Sequence, residues 1–274
     1  MKAVILAAGY GTRLQRDIDN DTTGEFKHLQ GVAKPLLPIG RCPLISHWVR
    51  TLTENECIDT VFVVTNARYH EAFQKWAQEV PNVRVLNDGT RNNEERLGAV
   101  ACLHLTVKHF AVNDDIIVIG GDTLFKEDFS LRAFIERFTE VQRKDKDSSL
   151  VLSYQCKDNE MSKYGILETD SDLRVQSMKE KPLPAETDSR SACPCFYLFS
   201  RTTLPLLETF LKEKETGPIE HRDAPGNFLS WLILRRSVYV YRISGRFDVG
   251  NLLSYKECDN YFKEQLKDPE VYLM

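Results

Sequence analysis

The stretch that decides the fold lies at the start of the chain, where residues 2–14 read KAVILAAGYGTRL. Lys2 is followed by an apolar run with the length and composition of a β-strand that is buried on both faces. The run ends at Gly9 and Gly11, which predict a tight turn. Because ligands bind at the carboxyl ends of the strands in α/β sheets, this turn is a candidate binding site.

The first half of the chain alternates further strand patterns with helical patterns. After residues 2–8, the strand candidates are TVFVVT (60–65), VRVLN (83–87) and DIIVIGGD (115–122). The helical patterns between them are PLISHWVRTLTENE (43–56), YHEAFQKWAQEV (69–80) and EERLGAVACLHLTVKHF (94–110). This alternation predicts an α/β, Rossmann-like fold with a mixed, mainly parallel central sheet flanked by helices.

The second half has strand patterns that helices no longer separate, which predicts added, partly antiparallel strands. They are LVLSYQ (150–155), YGILET (164–169), LRVQSMKE (173–180) and PCFYLF (194–199), with SVYVYRI (237–243) returning to the sheet pattern. Helical patterns are found around 203–213, 226–235 and Leu252–Leu266. Without a repeat or a linker, the sequence favours one domain over residues 1–274.

Composition excludes several classes of protein. The net charge of -4 and the pI near 5.9 give no basic field for a nucleic-acid partner. No apolar stretch has the length of a membrane span, and the first residues lack a signal-peptide cleavage pattern, so we expect a cytoplasmic protein without a membrane partner. The seven cysteines form no CxxC pair, which is typical of reduced thiols.

Residues 15–33, QRDIDNDTTGEFKHLQGVA, break the regular alternation. The segment is polar, contains two glycines and has no clear period. It predicts a mobile loop.

The glycine turn suits an anion, but it matches neither common phosphate-binding motif. Gly9 and Gly11 allow backbone N–H groups to approach a phosphate, and Arg13 adds a fork of donors. GxGxxG fails because its third glycine position is Leu14, and GxxxxGK[ST] is absent. Taken alone, the turn is as well explained by chain geometry as by phosphate binding.

The blocks that follow change this balance. LAAGYGTRL (6–14) is followed in order by KPLLPIG (34–40), GGDTLF (120–125), YGILETD (164–170) with MKEKP (178–182), and FDVGN (247–251). The series resembles the sugar-phosphate nucleotidyltransferases, or nucleotide-sugar pyrophosphorylases, in a short form similar to glucose-1-phosphate thymidylyltransferase. The resemblance implies a nucleotide-binding half at about 1–122, an acceptor-binding half at about 123–250 and a C-terminal helix at about 251–266.

The resemblance also implies the reaction. A phosphate oxygen of a sugar 1-phosphate attacks the α-phosphorus of a nucleoside triphosphate, and pyrophosphate leaves. The attacking group is already an anion, so catalysis depends on positioning and charge stabilisation and needs no Ser-His-Asp arrangement. Arg13 and Lys34 are the implied catalytic cations. The implied nucleotide-binding residues are Leu6, Ala8, Gly9, Gly11, Thr12, Arg13, Asn87 and Gly98.

Metal and acceptor sites follow from the later blocks. Asp122 and Asp248 are the implied ligands of Mg²⁺, which prefers one or two protein carboxylates together with water and phosphate oxygens. Gly165, Glu180 and Lys181 are the implied acceptor-binding residues.

Two points of the resemblance stay open. Many relatives read the base with a glutamine before a GLA or GTA segment, whereas this chain has NDGTRNNEERLGAVA (87–101), in which Asn87, Asp88, Thr90 and Asn93 compete for that role. The base is therefore open, and so is the acceptor, since CTP and phosphocholine would suit the same fold. A catalytically silent relative that binds a nucleotide sugar and regulates a partner is a further alternative, and a homo-oligomer is possible.

Overall fold

The computed structural model describes residues 1–126 and 128–265. The strands are β1 (Lys2–Leu6), β2 (Pro38–Ile39), β3 (Cys42–Pro43), β4 (Thr60–Thr65), β5 (Val83–Asn87), β6 (Ile116–Gly120), β7 (Thr123–Phe125), β8 (Ser149–Gln155), β9 (Gly165–Thr169), β10 (Val175–Glu180), β11 (Ser191–Cys193), β12 (Phe196–Phe199), β13 (Val238–Arg242) and β14 (Arg246–Asp248). The α-helices are α1 (Thr12–Asp19), α2 (Leu44–Thr53), α3 (His70–Ala77), α4 (Ala99–His109), α5 (Leu131–Lys144), α6 (Leu204–Glu213), α7 (Pro225–Leu232) and α8 (Leu252–Gln265).

One large sheet organises the fold, with the strand order β10-β9-β11-β8-β12-β6-β1-β4-β5 and with β13 beside β8. β1 pairs in parallel with β4 and β6, and β4 pairs in parallel with β5. β12 joins β6 to β8 by antiparallel pairing on both sides, and β9, β10 and β11 continue the antiparallel part. The predicted fold class, a mainly parallel central sheet with added antiparallel strands, is confirmed.

Helices cover both faces of this sheet because successive side chains of a strand point to opposite sides. Ile5 belongs to a core shared with α2, α5 and α8, whereas Val4 belongs to a core shared with α4, α6 and α7. Both side chains are fully buried. This double burial explains why β1 and β6 read as continuous apolar runs instead of alternating patterns.

Most predicted elements are found within two or three residues of their expected limits. The 194–199 strand instead begins at Phe196 and follows a separate short strand, β11, that the sequence pattern did not predict. Pro194 separates the two strands because proline has no N–H group for the sheet ladder. The final helix is described to Gln265, and Leu266, its predicted end, lies outside the described residues.

The predicted loop at residues 15–33 is shorter than expected, because residues 15–19 belong to helix α1. The segment begins inside helix α1, and residues 27–29 form a short 3-10 helix. Leu14 and Ile18, four residues apart, are the buried residues of α1. The ring of Phe26 packs edge-on against Tyr255 of α8. These long-range contacts supply the burial that so short a polar segment cannot show in its own sequence.

Within the described residues, no helix is both long enough and apolar enough to cross a membrane.

Candidate active site

A cleft of about 290 Å³ opens where β1 and β6 end side by side, at their carboxyl ends. This is the sheet edge at which the glycine turn was expected to bind a ligand. The predicted residues that line the cleft are Leu6, Ala8, Gly9, Gly11, Lys34, Gly98 and Asp122. Nucleotide-binding, catalytic and metal-binding candidates from four separate parts of the chain therefore meet in one cavity.

Gly11 shapes the turn and fixes the position of Lys34. Its φ of 64° lies in the left-handed region, where glycine has no steric cost. A Cβ at this position would lie 3.3 Å from Cγ of Lys34, so the lysine stem packs directly on the glycine backbone. Gly11 is therefore required both by the turn and by the path of the Lys34 side chain.

Gly121 explains how Lys34 reaches Asp122. The Gly121 N–H donates to the Leu6 carbonyl over 3.0 Å, and a Cβ here would lie only 2.9 Å from Cγ of Pro35. This close packing brings the KPLLPIG block against the end of β6. Lys34 Nζ then lies 3.5 Å from Asp122 Oδ2, with 12% of the lysine side chain and 40% of the aspartate side chain exposed.

Asp122 and Asp248 lie on adjacent chain segments despite their separation in sequence. β14 pairs antiparallel with β7, with Asp248 opposite Thr123, the residue after Asp122. The backbone N–H of Val249 donates to the Asp122 carbonyl over 2.9 Å. The arrangement brings the two predicted metal ligands to the same edge of the molecule.

The side chain of Asp248 is held by neighbours that the sequence analysis did not single out. Arg246 Nη2 lies 3.4 Å from Asp248 Oδ2, and the Tyr164 hydroxyl donates to the same oxygen over 3.4 Å. Arg246 is 8% exposed and also donates to Thr123 Oγ1 over 2.8 Å. Burial pulls the pKa of Arg246 down, but Asp248 together with Tyr154 and Tyr164 outweighs burial, so the net pKa is raised and the guanidinium stays charged.

The donor set fits Mg²⁺ that arrives with a polyphosphate. Asp122 and Asp248 provide hard carboxylate oxygens from two adjacent strand ends. In the described part of the chain, no group of three or more His, Cys, Asp or Glu side chains could form a complete metal site. A cation here would therefore depend on water and substrate phosphates for its remaining ligands, which is the usual coordination of Mg²⁺.

Thr12 and Arg13 lie just outside the residues that line the cleft. They begin α1 directly after Gly11, and both side chains are exposed. Among residues 1–126 and 128–265, no hydrogen bond or ion pair involves the Arg13 guanidinium. Its donors are available to an anion held in front of the glycine turn.

The opposite end of the cleft is formed by the start of α4. Gly98 precedes this helix with a φ of 89°, and a Cβ here would lie 2.8 Å from Cα of Asp223. Of the four competing polar residues, Asp88 and Asn93 line the cleft. Asn87 does not: its Oδ1 accepts the Gly89 N–H over 2.8 Å and so stabilises the turn after β5. Thr90 is buried against Tyr10.

The predicted acceptor-binding residues lie together where β9 begins and β10 ends, since Gly165 pairs with Glu180 and Lys181 follows it. A Cβ at Gly165 would lie 3.0 Å from Glu180 Oε2, and one at Gly226 of α7 only 2.2 Å from it. The Glu180 carboxylate therefore occupies a slot between two glycines. Lys181 follows with a φ of 51°, an exposed side chain and a backbone N–H that donates to the Tyr164 carbonyl.

The slot predicts a pH effect on stability. Burial raises the pKa of the Glu180 carboxyl above its ordinary 4.5, and Lys181 offsets this only in part. The folded protein thus keeps this proton after the unfolded chain has lost it. The stabilisation is present in full below pH 4.5 and is lost as the pH rises through the folded-state pKa.

We expect Glu180→Gln to remove this pH dependence of stability when the free energy of unfolding is measured by urea denaturation between pH 4 and 7. The control is Glu208→Gln on α6. The hydrogen bond from Lys212 lowers the pKa of the Glu208 carboxyl, so the effect of this carboxyl on the pH dependence falls below pH 4.5. An unchanged slope in Glu180→Gln would show that the slot does not perturb the carboxyl.

Comparison with known proteins identifies the family of the chain. Residues 2–265 match the nucleotidyl transferase family. The bifunctional protein GlmU of Methanococcus maripaludis is 26% identical over 267 residues, which are 97% of this chain and 55% of that protein. The glucose-1-phosphate adenylyltransferase of Clostridium acetobutylicum is 25% identical over 280 residues, 94% of this chain and 66% of that protein.

The chain thus spans between about half and two thirds of the length of these curated relatives. A solved structure of apo UDP-glucose pyrophosphorylase is similar with a TM-score of 0.73 and 19% identity, covering 97% of this chain and 98% of that chain. At this identity the similarity shows a shared fold. The family match extends over nearly every described element, from β1 to α8. The chain belongs to the nucleotidyl transferase family.

Proposed function

We propose that this chain transfers a nucleoside monophosphate from a nucleoside triphosphate to a sugar 1-phosphate, giving a nucleoside diphosphate sugar and pyrophosphate. The observation that carries the proposal is the approach of Lys34 to Asp122 at 3.5 Å, beside the glycine turn and next to the segment that bears Asp248. A cation and two carboxylates near a glycine turn that can bind phosphate suit phosphoryl transfer, in which catalysis depends on charge stabilisation.

Each residue has a defined task in this proposal. The backbone of the Gly9–Gly11 turn approaches the polyphosphate closely, because Gly9 has no Cβ and the space beside it is open. Lys34 and Arg13 stabilise the charge that develops on the α-phosphoryl group. Asp122 and Asp248 would hold Mg²⁺, which when bound neutralises phosphate charge and orients the oxygens for in-line displacement.

A sugar phosphate is favoured over phosphocholine as the acceptor. A quaternary amine is bound by aromatic faces, and the tyrosine pair beside Asp248 consists of Tyr154 and Tyr164. Arg246 already lies over both rings, 4.5 Å from the Tyr164 centroid and 5.9 Å from the Tyr154 centroid. A second cation at the same faces would be repelled, whereas the Glu180 carboxyl suits sugar hydroxyls.

The presence of the complete residue set favours an enzyme over a silent regulatory relative. Binding alone would not require Asp122 beside Lys34 and Asp248 on the adjacent segment, since partly buried ions are costly to hold. We also propose a cytoplasmic location, one domain over residues 1–274 and a homo-oligomer, to be tested by fractionation, limited proteolysis and size-exclusion chromatography with light scattering.

The test is a pyrophosphate-release assay. Five triphosphates (ATP, CTP, GTP, UTP and dTTP) are each combined with a panel of sugar 1-phosphates and with phosphocholine, with Mg²⁺ and with EDTA. We expect Mg²⁺-dependent release with at least one sugar 1-phosphate and none with phosphocholine. Tight nucleotide binding without turnover of any pair would favour the silent relative instead.

A further inference from the structure

Two carboxylates face the end of the cleft that lies beside Gly98. Asp88 follows β5 and Asp223 precedes α7, and both line the cavity. If the proposed function is correct, the polyphosphate lies at the glycine turn, so this opposite end receives the base. The carboxylates are therefore placed to act on nucleotide choice.

Each carboxylate has one oxygen fixed by the protein and one that is weakly paired or free. Oδ1 of Asp88 accepts from both the N–H and the hydroxyl of Thr90 at 2.8 Å. Among the described residues, its Oδ2 accepts only from the Cys102 thiol, at 3.6 Å. Oδ2 of Asp223 accepts from Arg96 Nε at 2.9 Å. In the described part of the chain, Asp223 Oδ1 accepts no hydrogen bond, and it lies 3.0 Å from where a Cβ of Gly98 would be.

The negative fields of the two aspartates converge in the same part of the cleft. Cys102, one turn into α4, lines it between them, and the pKa of its thiol is raised by burial first and then by Asp88 and Asp223. Arg96 pairs with Asp223 through Nε and with the Asn93 carbonyl through Nη1, so it offsets Asp223 directly and leaves Asp88 without a cation partner in the described part of the chain.

A carboxylate can only accept hydrogen bonds, which sets a simple rule for the base. Cytosine and adenine present an exocyclic amino group, and guanine presents an amino group beside a ring N–H. Uracil and thymine present a carbonyl oxygen where cytosine has its amino group. Their one ring N–H lies between two carbonyl oxygens, so a carboxylate that accepts it faces a further acceptor on either side.

We propose that Asp88 and Asp223 select nucleoside triphosphates whose base carries an exocyclic amino group, and that they disfavour UTP and dTTP. Arg96 acts as a positioning residue, because it holds one Asp223 oxygen and leaves the other directed at Gly98. Discrimination of this kind depends as much on rejecting the wrong acceptor as on pairing with the right donor.

The test measures binding of the five triphosphates with Mg²⁺ by titration calorimetry, alongside pyrophosphate release with sugar 1-phosphates. We expect CTP, ATP or GTP to bind at least about tenfold more tightly than UTP and dTTP. A preference for UTP or dTTP together with turnover overturns this inference and leaves the proposed reaction standing. An amino-base preference without turnover supports it and removes the proposed reaction, and no binding by any triphosphate overturns both.

Variants locate the effect. Asp223→Asn offers an amide that can donate, so the preference should fall about tenfold, and Asp88→Asn provides a second, independent measurement. The matched control is Glu220→Gln, because Glu220 lies 3.8 Å from Arg96 with a 70% exposed side chain and does not line the cleft. Folded Asp223→Asn and Asp88→Asn proteins that keep the wild-type preference would overturn the inference.

Discussion

Asp122→Asn is expected to lower kcat by about a thousandfold while the protein stays folded, because a metal ligand stabilises transition-state charge by several kcal/mol. The side chain of Asp122 is 40% exposed just after β6, and it forms an ion pair with Lys34. Loss of a partly exposed pair costs at most about 1 kcal/mol. The variant therefore separates catalysis from folding.

The measurements are the rate of pyrophosphate release across a Mg²⁺ titration and the thermal unfolding midpoint. Asp188→Asn is the control, since Asp188 is exposed and no hydrogen bond or ion pair of its side chain is found among residues 1–126 and 128–265. Near wild-type turnover in Asp122→Asn would exclude a catalytic role, and unfolding would make the role structural.

The sequence predicted the sheet well because its parallel strands are buried on both faces. Val4 and Ile5 point into different cores, and both must be apolar, so β1 reads as an uninterrupted run. Short peripheral elements gave no such signal. β11 has only three residues, Ser191–Cys193, and its strand character comes from pairing with β8 and β9 on either side.

Helix α1 shows a different limit. Only Leu14 and Ile18 are buried in it, which is too few apolar positions to reveal a period. Its far end is stabilised by Asp17, whose Oδ2 accepts the Leu252 N–H at the start of α8 over 3.3 Å. Contacts that span most of the chain decided this element, and local propensity could not reveal them.

The candidate site divides in the same way. Lys34 and Asp122 were identified from their motifs, but their proximity depends on the packing of Gly121 against Pro35, which no spacing in the sequence reveals. Asp223 and Arg246 were missed. Arg246 stands immediately before the FDVGN block, so a charged residue at that position was an available signal. Asp223 follows an aperiodic stretch and offered none.

Arg246 leads to the largest stability prediction. It joins Asp248, Thr123 and Tyr154 from three separate strands, with donor distances of 3.4, 2.8 and 3.4 Å. Thr123 and Tyr154 are buried, so Arg246→Leu would leave their hydroxyls and the Asp248 carboxylate without this donor. Unpaired buried polar groups make such a loss costly, and we expect destabilisation by about 2–4 kcal/mol.

The unfolding midpoint of Arg246→Leu should fall by about 5–10 °C, and Arg246→Lys should lie between this variant and the wild type, since lysine keeps the charge but loses the fork. Arg242→Leu is the matched control on β13, where the side chain is exposed and a change within about 0.5 kcal/mol is expected. Activity measured well below both midpoints should also fall in Arg246→Leu, because Asp248 would no longer be held in one orientation. A fully stable Arg246→Leu protein would mean that the buried guanidinium does not hold β7, β8 and β14 together.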